Sequence, residues 1–260
     1  MDKKKKILIL YSGPHKLQMI ALKKWLSQNL PDYDYKLSTQ FWFAKRVKKY
    51  DPPCIITYNK NLIRTKNINA IKEYCDKGGK LIALHHNVSS MMMRQPEWLE
   101  MMKVKIEKGE KAEYPWSVIE GGDLYLTNLA PDSIITTNEI KYKDSVPAIN
   151  LPIEPNKVVT THELLTKDQK QEYHSREKEP AILFNKSEYF INHVLLPEPE
   201  RTLLFALYFI DEASGREFIS NNGGWKMPFG QGTIYYLMPG HSVHDYNDTY
   251  CKIIRNCIMD

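Results

Sequence analysis

The first hundred residues alternate between short apolar runs and longer amphipathic stretches. Apolar runs that end at turn residues predict buried strands, and apolar residues at every third or fourth position predict helices. In chain order the predicted elements are strand 7–12, helix 16–30, strand 34–38, strand 54–58, helix 67–77 and strand 81–84. Strands that alternate with helices predict an α/β fold with a doubly wound, mostly parallel sheet of the flavodoxin-like kind.

The regular pattern weakens between about residues 105 and 180, where turn residues, prolines and charges dominate. Beyond it, apolar runs at 202–209 and 233–237 predict strands, and the spacing over 245–259 predicts a helix that packs on the sheet. We therefore expect one domain over residues 1–260, with a poorly patterned, irregular insertion at about 105–180.

Charge and hydropathy exclude several classes of protein. The formal net charge is +5, but much of the excess comes from the run Lys3–Lys6, which we interpret as a solvated tail, and no nucleic-acid recognition motif accompanies it. No apolar run approaches the ~20 residues that a membrane-spanning helix needs. The apolar run 7–11 is too short for a secretory signal. We expect a cytoplasmic protein with no nucleic-acid or membrane partner.

Histidines follow three of the predicted strands. His15 comes after the first strand, His85 and His86 after the fourth, and His241 and His244 after the last. The carboxyl ends of parallel strands meet at one edge of a sheet, where α/β proteins bind ligands. Imidazole is the side chain best suited to proton transfer near neutral pH. We predict a shared site, although any one of these histidines alone is more often a core imidazole bonded to a carbonyl group.

Two further segments supply candidate residues. Glu188 and His193 lie in SEYFINH, where a carboxylate near imidazoles orients one of them or acts as a base; an exposed glutamate is an equal alternative. Trp225 lies in the glycine-rich stretch NNGGWKMPFGQG. A tryptophan in a loop over a cleft suits sugar stacking, and an ordinary hairpin tip is the alternative.

Cofactor motifs are missing from the sequence. It contains neither GxxxxGK[ST] nor GxGxxG after the first strand, so we expect no nucleotide cofactor. His241 and His244 are spaced i,i+3 across a loop-to-helix junction and no HExxH occurs, so we predict no metal, while a zinc site remains an alternative. The four cysteines form no CxxC pair.

Four blocks of sequence carry a family resemblance. They are ILILYSGPHK, INAIKEYCDKGGKLIALHHNVSS, SEYFINHVLLPEPERTLLFA and GQGTIYYLMPGHSVHDYNDTYCKIIRNCI. In this order they resemble the ThuA-like (trehalose utilisation) family of the class I glutamine amidotransferase-like superfamily. The resemblance implies that superfamily's fold and a role in carbohydrate metabolism, on disaccharides or their oxidised keto forms. It also implies that glutamine amidotransferase activity is absent, because His85 occupies the position of the nucleophilic cysteine.

Together these observations give a hypothesis for function. The protein acts on a small sugar-like molecule by acid/base chemistry, with catalytic residues His85, His241 and Glu188. The predicted substrate-binding residues are His15, His86, His193, His244 and Trp225. The rivals are a non-catalytic sugar-binding or protein-interaction module and a zinc-dependent hydrolase. The sequence leaves a homo-oligomer open.

Overall fold

The computed structural model describes residues 4–109, 111–151 and 161–260. The strands are β1 (Lys6–Ser12), β2 (Asp34–Ser38), β3 (Ile55–Asn59), β4 (Lys80–Leu84), β5 (Val104–Lys105), β6 (Ser117–Asn128), β7 (Asp144–Pro147), β8 (Thr161–Glu163), β9 (Lys178–Ile191), β10 (Val194–Leu195), β11 (Thr202–Asp211), β12 (Arg216–Phe229) and β13 (Gly232–Leu237). The α-helices are α1 (Lys16–Asn29), α2 (Phe43–Tyr50), α3 (Thr65–Asp76), α4 (Pro96–Met102), α5 (Ile134–Thr137), α6 (Lys167–His174) and α7 (Asp248–Met259). Short 3₁₀ turns lie at His85–Val88, Ser90–Arg94 and Val243–Asp245.

One large sheet organises the described residues. Its strand order is β2-β1-β3-β4-β13-β12-β11-β6-β9-β7, and β8 pairs with β12. The first five strands of this order are parallel to one another. Their order, with β13 in the fifth place, is that of flavodoxin-like folds, and the chain reverses direction across the sheet between β1 and β3. The predicted α/β, flavodoxin-like class is confirmed.

The other half of the sheet is antiparallel, so the sheet is mixed rather than mostly parallel. The connections explain the difference. The chain passes from β11 to β12 and from β12 to β13 through tight turns, whereas a parallel crossover needs about a dozen residues or more. The glycine-rich stretch that we expected to be a loop or hairpin tip forms most of β12 instead.

The region expected to be an irregular insertion contributes strands to this same sheet. β6 and β9 pair over most of their length, and β7 pairs with the start of β9 at the edge. Residues 110 and 152–160, which belong to that region, lie outside the described residues. The described part of the region therefore extends the sheet.

Helices cover both faces of the parallel half. α1 packs against α7, and α2 packs against α3. The connection through α1 leads from β1 to β2, whereas those through α2 and α3 lead the other way across the sheet, from β2 to β3 and from β3 to β4. Right-handed crossovers therefore place α1 on one face of the sheet and α2 and α3 on the other. β1, β3 and β4, which lie between the two helix layers, are almost completely buried. This burial on both faces explains why their sequences are continuous apolar runs. In the described residues, no helix is both long and apolar enough to cross a bilayer.

Candidate functional site

Four side chains converge at the carboxyl edge of the parallel strands. One ligand atom each from His85, His86, His241 and Glu188 lie within 4.8 Å of one another. The Glu188 Oε2 atom is at the centre: it lies 2.8 Å from His85 Nε2, 2.5 Å from His241 Nδ1 and 3.7 Å from His86 Nε2. We refer to these four residues as the histidine–glutamate cluster.

His85 begins the 3₁₀ turn directly after β4 in a strained backbone conformation. Its φ is +41°, in the left-handed region that non-glycine residues rarely adopt. Two contacts from β13 and the residue after it hold the turn: the His85 Nδ1 atom lies 2.6 Å from the Met238 carbonyl oxygen, and the Tyr236 hydroxyl donates to the His85 carbonyl oxygen at 3.1 Å. Strain of this kind persists where surrounding contacts over-determine it, which occurs often at functional sites.

Glu188 reaches the cluster from the antiparallel half of the sheet. The pairing of β6 with β9 shifts register on both sides of Gly122, and Lys186 has a φ of +49°. Such irregularities bend a strand and redirect its side chains. The last part of β9 thereby meets the loop after β4, and the Phe190 ring stacks on the His85 ring at a centroid distance of 4.7 Å.

The charge state of Glu188 follows from its neighbours. Burial favours the neutral acid, but the contacts with His241 and His85 outweigh it and hold the pKa of Glu188 well below its usual range. The same contact raises the pKa of His241, against the opposing effect of burial. The His241 side chain is 30% exposed, whereas His85 is completely buried. His241 is therefore the member of the cluster that solvent and small molecules reach most readily.

His15 lies beside the cluster with a defined tautomer. The Gln18 side-chain amide donates to the His241 carbonyl oxygen at 2.9 Å, so the atom in this contact is the nitrogen. The same nitrogen lies 3.0 Å from His15 Nδ1, which therefore accepts. Burial, with a contribution from Lys60, lowers the pKa of His15 to about 4. At neutral pH His15 is thus an uncharged imidazole that carries its proton on Nε2.

Several buried polar atoms around the cluster have no hydrogen-bond partner within the described part of the protein. They include His15 Nε2, the Tyr58 hydroxyl and His86 Nε2. The Tyr58 ring lies 5.2 Å from the His15 ring and 5.7 Å from the His86 ring, measured between centroids. Burial of a polar atom without a partner is costly, so these atoms require a water molecule, an ion or a ligand atom as a partner.

His86 belongs to the cluster and His15 lies beside it, whereas the other three predicted substrate-binding residues do neither. Trp225 is a fully buried residue of β12 whose indole donates to Asn222 Oδ1 at 3.1 Å, so it is not in a loop over a cleft. His193 is also fully buried; its Nδ1 accepts from Asn222 Nδ2 at 3.0 Å, and the ring hydrogen-bonds to the backbone of Val88. His244 is exposed on the 3₁₀ turn Val243–Asp245.

Sequence reasoning missed two residues of the site. Tyr58 is the second-last residue of β3, and the carboxyl ends of the parallel strands, which guided the choice of the histidines, meet at that edge. Gln18 lies in the first turn of α1, one helical turn after His15, and nothing in its sequence context distinguishes it.

The fold and the cluster define a flavodoxin-like α/β protein with a histidine–glutamate site at the carboxyl edge of its sheet. No protein-family model matches the sequence, and no curated protein matches it either. Among solved structures, one described as a ThuA-like protein, from Parabacteroides merdae ATCC 43184, aligns with a TM-score of 0.62 at 14% sequence identity, over 98% of this chain and 89% of that chain. A second structure described in the same way, from Bacteroides uniformis ATCC 8492, aligns with a TM-score of 0.59 at 13% sequence identity, over 99% of this chain and 91% of that chain.

The chain therefore has the fold of ThuA-like proteins, and the resemblance inferred from the sequence is confirmed at the level of the fold.

Proposed function

We propose that this chain is a ThuA-like enzyme that acts on a small sugar-like molecule by proton transfer at the histidine–glutamate cluster. The observation that supports this most directly is the position of Glu188 Oε2, at 2.5 Å from His241 Nδ1 and 2.8 Å from His85 Nε2. A carboxylate that contacts one imidazole nitrogen orients the ring and stabilises its protonated form.

His241 is the proposed proton-transfer residue. Its Nδ1 atom is buried against Glu188, so the exposed fraction of the side chain lies on the rest of the ring. Contact with Glu188 raises its pKa from the ordinary value of 6.5, and an imidazole whose pKa lies near the working pH is an efficient general acid and base. Glu188 and the fully buried His85 act through His241 and are positioning residues in this scheme.

The polar surroundings support a hydroxyl-rich substrate. His15 offers an Nε2–H donor, and the Tyr58 hydroxyl is a further buried group without a partner within the described part of the protein. Sugar hydroxyl and keto groups are complementary to such donors. The resemblance to the trehalose-utilisation family favours a disaccharide or its keto form as the substrate class.

The properties of the four cysteines are unfavourable for thiol chemistry. Burial raises the pKa of Cys54, Cys75 and Cys251 to about 12, and that of Cys257 well above its ordinary value. The thiolate is the nucleophilic form, so these residues are unreactive at neutral pH. This supports the expectation that the chain has no glutamine amidotransferase activity.

The test is a screen of disaccharides, including trehalose, and their keto forms, with product detection by NMR spectroscopy. We expect turnover of at least one compound, and the substitution His241→Gln should reduce it by about 100-fold or more while the fold is retained. His174→Gln is the matched control, because His174 also contacts a glutamate, Glu217, at 2.7 Å but lies outside the cluster.

Two results would contradict the proposal. Calorimetric binding of a saccharide without any product after long incubation would identify a binding module instead. Equal turnover by wild-type protein and the His241→Gln variant would place the chemistry elsewhere.

A further inference from the structure

We infer that His85, His86 and Glu188 together bind one divalent transition-metal ion, which His241 faces from the more exposed side. This inference rests on the proposed function only in that it concerns the same site. It is carried by three observations: the spacing of the ligand atoms, the tautomer of His85 and the unpartnered nitrogen of His86.

The spacing fits a single ion. Zinc lies about 2.0–2.2 Å from imidazole nitrogen and carboxylate oxygen, so two ligands of one tetrahedral ion are roughly 3.3 Å apart. The Glu188 Oε2 atom lies 2.8 Å from His85 Nε2 and 3.7 Å from His86 Nε2, which brackets that separation. The ligand atoms of the cluster, including the two imidazole nitrogens, all lie within 4.8 Å of one another, so side-chain adjustments would bring both nitrogens and the oxygen to one ion.

The tautomer of His85 leaves a lone pair directed at the carboxylate. A carbonyl oxygen only accepts hydrogen bonds, so the contact of 2.6 Å with Met238 puts a proton on His85 Nδ1. In the neutral ring Nε2 is then an acceptor, 2.8 Å from another acceptor, Glu188 Oε2. A proton or a metal cation between them makes this arrangement favourable. An imidazole whose Nδ1–H donates to a backbone carbonyl is the usual form of a metal-ligating histidine.

His86 distinguishes the metal from the proton. Its ring is 3% exposed, and its Nε2 atom has no hydrogen-bond partner within the described residues, although it lies in the cluster. One proton between His85 and Glu188 leaves His86 unsatisfied, whereas one metal ion satisfies all three residues.

The ligand chemistry selects the class of metal. Two imidazoles and one carboxylate suit Zn²⁺, Fe²⁺ and similar first-row ions, whereas Ca²⁺ and Mg²⁺ prefer sets made of oxygen alone. Three protein ligands leave coordination positions open for water or a substrate oxygen. We assign proton transfer rather than ligation to His241, because its side chain is 30% exposed whereas the other three are nearly inaccessible.

The experiment is a titration of the full-length, untagged and chelator-treated protein with Zn²⁺, monitored by calorimetry and by metal analysis after dialysis. We expect one tightly bound ion per chain. His86→Gln and Glu188→Gln should each weaken binding by more than about 100-fold, and His241→Gln by about 10-fold, as expected for a residue that contacts a ligand. The control His174→Gln should bind zinc as the wild type does.

A second measurement covers variants that fail to fold. In wild-type protein, Zn²⁺ should shift the ring resonances of His85 and His86 in NMR spectra and leave those of His174 unchanged. Absence of stoichiometric binding, or a zinc-induced shift confined to other histidines, would overturn the inference. Equal losses of affinity for His241→Gln and His86→Gln would overturn the three-residue assignment.

The metal inference and the proposed function fail separately. Zinc binding with no turnover of any saccharide would support the metal site and contradict the enzyme proposal. Undiminished turnover by protein shown to be free of metal would support the enzyme proposal and contradict a role for the metal site in it.

Discussion

The Nδ1 atom of His241 lies 2.5 Å from Glu188 Oε2. This contact links the loop after β13, which carries His241, to the last part of β9, which carries Glu188. These two segments belong to the parallel and the antiparallel halves of one sheet. The contact couples the charge states of the two residues: it lowers the pKa of Glu188 and raises that of His241. A change at one residue must therefore be visible in the titration of the other.

The substitution Glu188→Gln should lower the pKa of His241. The variant loses the anionic partner that stabilises the imidazolium form, and burial, which opposes that form, remains. The ring of His241 should then lose its proton at a lower pH than in wild-type protein. An NMR titration of chelator-treated protein measures this directly. Glu217→Gln is the control and should leave the midpoint unchanged, because Glu217 contacts His174 and is not a member of the cluster. An unaltered midpoint in the Glu188 variant would show that the contact does not persist in solution.

The parallel half of the fold follows closely from the sequence. β2 spans the predicted residues 34–38, and β1, β3 and β4 begin within one residue of the prediction because their apolar runs are continuous and end at turn residues. The convergence of His15, His85 and His241 also follows, since one topological rule places the residues after parallel strands at one edge.

The antiparallel half is less predictable. β12 contains Gly223 and Gly224, which have no side chains and so do not add to a strand pattern in the sequence. The structure requires glycine there, because a Cβ at either position would meet backbone or side-chain atoms of other strands at 3.2 Å or less. The approach of Glu188 to His85 depends on how a long strand bends, and local periodicity carries no information about that. The glycines around Trp225 favoured a loop or a hairpin tip, although the residue lies in the core.

Trp225→Phe should reduce stability without affecting substrate binding. The substitution removes the indole donor to Asn222 Oδ1 and leaves that buried acceptor unsatisfied, which costs about 1–3 kcal/mol. Urea denaturation should show the loss, while KM for any substrate found should not change, because the residue is fully buried within β12. An increase in KM with unchanged stability would restore the original hypothesis that Trp225 binds sugar.

Gly232→Ala should be among the more destabilising single substitutions. A Cβ at Gly232 would overlap the carbonyl oxygens of Gly79 and Cys75, both of them backbone atoms that cannot move aside cheaply. We expect a loss of about 3 kcal/mol in the free energy of unfolding, at the upper end for overpacking. Gly215→Ala is the control: a Cβ there meets nothing within 4 Å, and only its φ of +67° is unfavourable, at a cost of about 1 kcal/mol. Similar urea midpoints for the two variants would contradict this account.

His193 should make the protein less stable as the pH falls below neutral. Burial lowers its pKa from 6.5 in the unfolded chain to about 3 in the folded protein. Between these two values the unfolded state binds a proton that the native state does not, so the free energy of unfolding decreases as the pH decreases, by at most about 1.4 kcal/mol per pH unit for one group. Above pH 7 the ring is neutral in both states and contributes no slope.

Urea denaturation from pH 7 to pH 4 should show this decrease in the free energy of unfolding. The decrease should be smaller in His193→Asn, whose side chain does not titrate. His15 and His86 have lowered pKa values as well, so part of the slope should persist in the variant. If the two slopes were equal, His193 would titrate alike in the folded and unfolded states, and its burial in the core of the folded protein would be refuted.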